Sequence, residues 1–204
     1  MSTPSYVVLL PVKPPSRGKS RLEVDPARRR ALAAAFALDT ARACLSATRV
    51  RAVLAVTDDA AFAEDLRLAG CDTIPDGVAG DLNESLRQAA AEAHRRWPDA
   101  VPAAVCADLP ALLPKDLDAA LEEAEGQVAF VTDDDETGTT LYTAPYDAFE
   151  PHFGVGSRVA HLDAGAREIP GELTSLRRDV DDRDALRRAE QLGLGAPTRL
   201  AMLA

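Results

Sequence analysis

Two acidic motifs stand where predicted β-strands end. Asp108 follows a short apolar run and precedes a proline turn, whereas Asp179 and Asp181 flank a valine near the end of a second predicted strand. Carboxylate oxygens are the ligands that Mg²⁺ prefers, and the ion usually takes only one or two of them from the protein. Because side chains alternate along a strand, Asp179 and Asp181 should lie on the same side. The pattern therefore predicts a magnesium site in which Asp108 joins this pair.

Each acidic motif also has a simpler interpretation. Asp108 could be the N-cap of a helix, and residues 179–182 could form a solvent-exposed acidic turn. Taken alone, each motif fits the simpler interpretation as well as it fits a metal ligand. The two motifs together are more specific, since the carboxyl ends of strands in an α/β sheet converge on one edge.

A basic loop follows the first predicted strand. Lys13, Arg17, Lys19 and Arg21 lie within nine residues of a chain whose formal net charge is −10. Lysine and arginine side chains there would neutralise the β- and γ-phosphates of a nucleotide, with help from backbone N–H groups in the proline and glycine turns. The alternative is a solvated basic loop. The position directly after a buried strand favours the phosphate site.

The end of this loop imitates a Walker A motif. Gly18-Lys19-Ser20 matches the last three positions of G-x-x-x-x-G-K-[ST], but Lys13 stands where the motif requires its first glycine. The loop's prolines also remove backbone donors on which a P-loop relies. A P-loop kinase or NTPase is therefore only the second interpretation.

Small polar side chains mark three further candidate binding segments. Asn83 and Ser85 lie in the first turn of a predicted helix, where they could face a base or ribose, although a plain helix cap is the favoured interpretation of this segment taken alone. Thr139 lies in the segment 137–140, and Gly154 and Ser157 lie in a glycine-containing loop. These two segments could donate hydrogen bonds to a small anion, or they could be ordinary turns.

Histidine and cysteine chemistry is not indicated. His94, His152 and His161 show no metal-ligand spacing and are interpreted as surface or packing residues. The three cysteines are scattered, which argues against a zinc site and a disulfide framework, and Cys106 is expected to be an inert core thiol. Cysteine usage therefore favours a reducing, cytoplasmic setting.

Length and composition predict one soluble domain spanning residues 1–204. The chain is 47% hydrophobic and 27% charged, which is ordinary for a folded protein. Its acidity (sequence pI about 4.8) argues against nucleic-acid and anionic membrane partners. The sequence has neither the build of a signal peptide nor an apolar stretch of about 20 residues that could span a membrane.

Alternating apolar runs and amphipathic segments must position these side chains. The expected architecture is a three-layer α/β/α sandwich with a mostly parallel, Rossmann-like sheet and right-handed crossovers, so that ligands bind beyond the carboxyl ends of the strands. Strands are predicted over residues 6–10, 50–56, 71–74, 103–107, 127–131, 139–143 and 173–180. Helices are predicted from Asp25-Pro26 to about 45, and over 60–68, 82–97, 114–124, 159–164 and 183–192.

The order of these motifs resembles the guanylyltransferases of deazaflavin coenzyme F-420 biosynthesis, the phosphoenolpyruvate or 2-phospho-L-lactate guanylyltransferase family. The resemblance covers nearly the whole chain, and several segments in the right order are more specific than any one of them. The matching segments are Val12-Lys13, Lys19-Ser20-Arg21-Leu22, Leu82-Asn83, Asp108-Leu109-Pro110, Thr137-Gly138-Thr139, Phe153-Gly154, Ser157 and Asp179-Val180-Asp181.

The resemblance implies a nucleotidyltransferase fold of the nucleotide-diphospho-sugar transferase type, similar to the molybdenum-cofactor guanylyltransferases. It implies Mg²⁺ held by Asp108, Asp179 and Asp181, and a phosphorylated acid held by Thr139, Gly154 and Ser157. It further implies GTP contacts at Pro11, Val12, Lys13, Lys19, Asn83 and Ser85, with Lys13, Lys19, Arg21 and Asp108 as the catalytic residues. One departure is that prolines replace the glycines that the wider class usually carries in its first loop.

The implied reaction transfers GMP from GTP to phosphoenolpyruvate, which gives enolpyruvyl-2-diphospho-5'-guanosine and pyrophosphate. The acceptor phosphate is already ionised at neutral pH, so no general base is required. The sequence leaves open 2-phospho-L-lactate, 3-phosphoglycerate, a molybdopterin or a sugar phosphate as acceptor, and also a non-catalytic nucleotide-binding subunit. A downstream transferase of the F-420 pathway could receive the product directly.

Overall fold

The computed structural model describes residues 5–13, 22, 24–78 and 80–203, and within them the chain forms a mixed sheet flanked by helices. The strands are β1 (Tyr6–Pro11), β2 (Val50–Val56), β3 (Asp72–Ile74), β4 (Val101–Val105), β5 (Ala129–Thr132), β6 (Thr139–Thr143) and β7 (Arg167–Glu168). The helices are α1 (Pro26–Ser46), α2 (Ala60–Ala69), α3 (Leu82–Arg96), α4 (Pro114–Ala124), α5 (Ser157–Asp163), α6 (Thr174–Arg177), α7 (Arg183–Leu192) and α8 (Ala196–Leu203). A 3₁₀ turn covers Tyr146–Ala148.

The sheet has the strand order β3-β2-β1-β4-β6-β5-β7. All neighbouring strands are parallel except that β6 runs antiparallel to β4 and to β5. The amino end of β6 therefore lies at the same edge of the sheet as the carboxyl ends of β1 and β4. The predicted mostly parallel sheet is confirmed, and this reversed strand brings Thr139 to the edge where ligands are expected.

Both faces of the sheet are covered, as the apolar character of β1 predicts. Tyr6, Val8 and Leu10 point into one core, shared with α1, α2 and α4. Val7 and Leu9 point into the opposite core, shared with α3. The sequence of a strand that is buried on both faces is continuously apolar, because neither face is exposed to solvent. The predicted three-layer α/β/α arrangement is thereby confirmed.

Local capping signals placed α1 and α2 correctly. The Asp25 carboxylate accepts hydrogen bonds from the N–H groups of Ala27 and Arg28, and Pro26 occupies the first helical position. Asp59 caps the start of α2, and Gly70, with φ of +108°, is its C-cap. Among the described residues, no helix combines the length and apolar character that crossing a membrane would demand.

The predicted strand over residues 173–180 is wrong. Leu173 and Leu176 are buried three residues apart, which is helical rather than strand spacing, and the chain makes one helical turn at α6. A residue of α4 stabilises this turn: the N–H and hydroxyl of Ser175 donate to the Asp116 carboxylate at 3.0 and 2.6 Å. The sequence prediction also missed the two-residue strand β7 and the helix α8.

Candidate metal and acceptor site

Three carboxylates meet at the carboxyl edge of the sheet. One oxygen each from Asp108, Asp179 and Asp181 can be chosen so that all lie within 4.8 Å of one another. Asp108 and Asp179 are half-buried, and Asp181 is exposed. The structure thus brings together the three residues that the sequence selected as candidate metal ligands.

Buried neighbours on both segments aim these carboxylates outward. Leu109 is fully buried, and its N–H donates to the hydroxyl of Thr40 in α1 at 3.0 Å. The N–H of Val180 donates to the carbonyl of Asp108 at 3.0 Å, which joins the two acidic segments through their backbones. The Val180 side chain is also fully buried, which anchors the residue between the two aspartates. Asp179 and Asp181 both reach the cluster, without the longer strand that the sequence suggested.

The donor set fits a hard divalent cation. All three candidate ligands are carboxylate oxygens, which suit Mg²⁺, Mn²⁺ or Ca²⁺ rather than a soft metal. Around Mg²⁺, ligand oxygens lie about 2.1 Å from the ion, so opposite ligands are roughly 4.2 Å apart. A cluster confined within 4.8 Å is close to this spacing. Three negative charges so near one another also repel, and a divalent cation would relieve that repulsion.

The end of β1 presents the described part of the predicted phosphate loop. Pro11 is half-buried beside β2, and the N–H of Val12 donates to the Val56 carbonyl at 2.8 Å. Val12 is buried, whereas Lys13 is exposed at this edge. Lys19 and Arg21 lie outside the described residues, as does most of the basic loop that contains them.

The first turn of α3 performs a structural task that the sequence did not reveal. Asp81, not Asn83, is the N-cap, since its carboxylate accepts from Glu84 N–H at 3.0 Å. The Asn83 amide instead pairs with the backbone of Phe153: it accepts from the N–H at 2.8 Å and donates to the carbonyl at 3.0 Å. Ser85 is buried against the core, with 2% of its surface exposed.

The three candidate acceptor-binding residues come from β6 and the turn before α5. Thr139 and Ser157 are buried, whereas Gly154 is exposed with φ of +142°, a backbone conformation that favours glycine. The Ser157 N–H donates to the Gly154 carbonyl at 3.1 Å, which closes the turn. The N–H of Arg158 donates to the Thr137 carbonyl at 3.2 Å and ties α5 to the segment preceding β6. These bonds hold the two predicted segments next to each other.

His161, which the sequence predicts to be a surface or packing residue, is central to this region. It has no exposed surface, and its Nδ1 lies 3.0 Å from Oγ1 of Thr139. Its Nε2 accepts from the N–H of His152 at 3.0 Å. Burial, followed by the nearby His152, lowers the pKa of His161 from 6.5 to about 4. A lone histidine carries no sequence signal for such a role; only its neighbours reveal it. The aromatic side chains that surround it are Phe130, Tyr142, His152 and Phe153.

The acidic turn between β5 and β6 has a structural role. The Asp133 carboxylate accepts from the N–H groups of Thr137 and Gly138 at 2.9 and 2.8 Å. Asp134 forms an ion pair with Arg178 at 3.1 Å, and its N–H donates to the Arg177 carbonyl at 2.8 Å. The turn therefore holds the backbone immediately before Asp179.

Cys106 connects the candidate metal ligands to the candidate acceptor residues through the sheet. Its N–H donates to the Thr140 carbonyl at 2.9 Å, and its Sγ lies 3.3 Å from the Thr139 carbonyl. Cys106 precedes Asp108 by two residues, so these bonds place the start of β6 beside the acidic cluster. The arrangement can hold a cation and an anionic acceptor side by side.

Comparisons with known proteins identify the class and then the family. A nucleotidyl transferase from Methanothermobacter shares the fold, with a TM-score of 0.61 at 17% identity, covering 92% of this chain and 97% of that one. A Mycobacterium tuberculosis H37Rv protein, crystallised in complex with manganese, aligns with a TM-score of 0.54 at 18% identity, covering 93% of this chain and 100% of that one. The fold is therefore that of the nucleotidyltransferases, as predicted.

The family model described as Guanylyl transferase CofC like matches residues 6–173, and the chain belongs to this family. The phosphoenolpyruvate guanylyltransferase of Thermomonospora curvata is 44% identical over 198 residues, which are 95% of this chain and 87% of the relative. The enzyme of the same name from Streptomyces scabiei is 44% identical over 207 residues, covering 96% of this chain and 95% of the relative. The family resemblance inferred from the motif order is confirmed.

Proposed function

We propose that this protein transfers GMP from GTP to phosphoenolpyruvate, with Mg²⁺ bound by Asp108, Asp179 and Asp181. The observation that carries the proposal is the convergence of these three carboxylates at the sheet edge where Thr139 begins β6. Family membership and the names of relatives that match nearly the whole chain support the same reaction. The manganese complex of a protein with this fold supports a divalent cation.

The nucleotide would lie against the end of β1 and the start of α3. Main-chain groups of Pro11 and Val12 and the Lys13 ammonium are proposed to contact GTP, together with Asn83. Ser85 is proposed as a further contact from the same turn, and its side chain is buried like those of Thr139 and Ser157. Lys19 and Arg21 are proposed to neutralise the triphosphate. The chain as a whole is acidic, so a triphosphate can bind only where basic side chains are clustered.

The acceptor would bind opposite the nucleotide, at Thr139, Gly154 and Ser157. Their hydroxyl and main-chain donors suit a small acid that carries a phosphate and a carboxylate. The acceptor phosphate oxygen forms a bond to the α-phosphorus of GTP, and the bond from that phosphorus to the bridging oxygen breaks, which releases pyrophosphate. The bound cation would stabilise the negative charge on the phosphate oxygens. Lys13 and the carboxylate cluster would align the reacting groups, so the site needs no base to remove a proton.

A pyrophosphate assay with a panel of acceptors tests the proposal. The full chain, GTP and Mg²⁺ would be combined in turn with phosphoenolpyruvate, 2-phospho-L-lactate, 3-phosphoglycerate and a sugar phosphate. Release of pyrophosphate that depends on phosphoenolpyruvate is expected, together with a product of the mass of enolpyruvyl-diphospho-guanosine. Activity confined to the sugar phosphate would contradict the proposed acceptor. Tight GTP binding without pyrophosphate release under every condition would contradict catalysis itself.

The product's new anhydride makes direct transfer to a downstream transferase a reasonable extension of the proposal. We also propose a cytoplasmic setting. Within the described residues the three cysteines form no disulfide, which fits a reducing compartment. Co-purification of the chain with an F-420 pathway transferase, in the presence and absence of both substrates, would test the partnership.

A further inference from the structure

The ring of His161 is fixed at both nitrogens by different kinds of partner. Nε2 lies 3.0 Å from the backbone nitrogen of His152, and Nδ1 lies 3.0 Å from Oγ1 of Thr139. The first partner can only donate a hydrogen bond, whereas the second can donate or accept one. The N–H of His152 therefore determines which ring nitrogen of His161 carries the proton.

Nε2 must carry a lone pair, because a proton there would meet the N–H of His152 head-on. A neutral imidazole without a proton on Nε2 has one on Nδ1. Nδ1–H then donates to Oγ1 of Thr139, so this oxygen is the acceptor in the bond between them, and a backbone hydrogen bond at Ser157 also favours a ring N–H. The low pKa of His161, caused mainly by burial, agrees with a neutral ring at physiological pH.

The bond also orients the Thr139 hydroxyl. Once Oγ1 accepts from His161, its own proton must be directed at some other acceptor. Among residues 5–13, 22, 24–78 and 80–203, no acceptor is found for that proton. Thr139 lies at the sheet edge beside the acidic cluster, where the anionic acceptor is proposed to bind.

We propose that His161 is a positioning residue that holds the Thr139 hydroxyl as a donor toward an oxygen of the phosphorylated acid. The inference rests on the proposed function, since it assigns the hydroxyl to that acceptor. His161 itself is buried and does not touch the acid. It also holds the loop before Gly154 in place through His152, so one neutral ring aligns both sides of the acceptor site.

Two amide substitutions separate the roles of the ring nitrogens. In His161→Asn the amide nitrogen lies two bonds from Cβ, like Nδ1, and can still donate to Thr139. In His161→Gln the amide lies three bonds from Cβ, like Nε2, so it can accept from His152 but leaves Thr139 without its donor. We expect His161→Gln to raise the acceptor KM about tenfold, the usual effect of losing one oriented hydrogen bond, with an unchanged GTP KM. His161→Asn should recover most of this loss.

A double-mutant cycle with Thr139→Val gives a readout that a purely structural role would not produce. If His161 acts through the hydroxyl, His161→Gln should have little further effect on the acceptor KM once that hydroxyl is gone. Additive tenfold losses would overturn the proposal, as would equal increases in the KM values of both substrates. Thermal unfolding of each variant would identify any that fails to fold, and the remaining variant would then decide the outcome.

Nitrogen-15 NMR of the imidazole tests the tautomer without any assay of activity. The expected spectrum at pH 7 shows a protonated Nδ1 and an unprotonated Nε2 for His161. A proton on Nε2, or a charged ring, would refute the inference even if the enzyme is active. Failure of the wild-type chain to release pyrophosphate from GTP with phosphoenolpyruvate would instead refute the proposed function, and these two failures are distinct.

Discussion

The proposed metal and acceptor regions lie at the same edge of the sheet but differ in the charge of their side chains. The acidic cluster places three carboxylates within 4.8 Å of one another, an arrangement that suits a divalent cation. The candidate acceptor residues Thr139, Gly154 and Ser157 carry no charge, and the neighbouring ring of His161 has both nitrogens within hydrogen-bonding distance of a partner. One region is thus completed by its ligand, whereas the other is preorganised by the fold.

The largest expected effect follows from removing one charge of the acidic cluster. Asp108→Asn should lower turnover by at least about 10³-fold, because a metal ligand at the reacting phosphates is lost. Pyrophosphate release under saturating substrates would measure it. Asp99→Asn, an exposed change before β4, is the matched control and should retain activity. Normal pyrophosphate release by Asp108→Asn would refute the metal assignment.

Metal binding should also raise the Tm of the protein, and this rise should depend on the acidic cluster. At tenfold its dissociation constant, Mg²⁺ or Mn²⁺ stabilises the folded state by about 1.4 kcal/mol, which raises the Tm of a domain this size by roughly 3–5 °C. Asp108→Asn should abolish this shift, because the variant lacks one of the three proposed ligands. Thermal scans of both proteins with and without metal would check this prediction. An equal metal-dependent shift in the variant would place the cation elsewhere.

The acceptor region should instead reveal itself through pH. The folded-state pKa of His161 is lowered from 6.5 to about 4, so its contribution to stability is complete above pH 6.5 and is lost as the pH falls through 4. Between pH 7 and 5 the wild type should lose about 2 kcal/mol of unfolding free energy relative to His161→Gln. Urea unfolding of both proteins at each pH would measure the difference in unfolding free energy. The contributions of titrating carboxylates cancel in this difference, because both proteins contain the same ones. A constant difference would mean that His161 titrates normally.

A substitution of Asn83 tests whether this side chain stabilises the loop at Phe153 or contacts the nucleotide. Asn83→Ala removes two hydrogen bonds to Phe153 and should cost about 1–2 kcal/mol of stability. Faster hydrogen exchange at the Phe153 N–H and a higher acceptor KM are expected. A rise confined to the GTP KM would indicate that the side chain contacts the nucleotide instead.

The smallest effect is expected where the two regions are tied together. Asp134→Asn breaks the ion pair with Arg178, whose side chain is 17% exposed, while the Asp134 side chain is 37% exposed. A partly exposed pair contributes at most about 1 kcal/mol. The backbone before Asp179 then loses one of its two links to the turn. The metal concentration that gives half of the metal-dependent rise in Tm should therefore increase only slightly. A loss as large as that of Asp108→Asn would show that the pair itself belongs to the catalytic machinery.

Local signals explain why much of the fold could be predicted. The N-cap at Asp25 and the proline after it act within one helical turn, and the apolar run of β1 shows directly that both of its faces are buried. Residues 173–180 were misassigned because their apolar content fits either a strand or a helix. Their conformation is set by Asp116 in α4, 59 residues before Ser175.

The sequence by itself determined the types and order of the chemical groups: three aspartates in two motifs, a basic loop after the first strand, and the small polar segments of a guanylyl transferase. Tertiary structure alone decided their arrangement. The bond from Val180 to the Asp108 carbonyl unites the acidic motifs, and the reversed strand β6 brings Thr139 to their edge. The protonation of His161 is likewise a tertiary property, because a pKa and a tautomer depend on burial and on partners that are distant in the sequence.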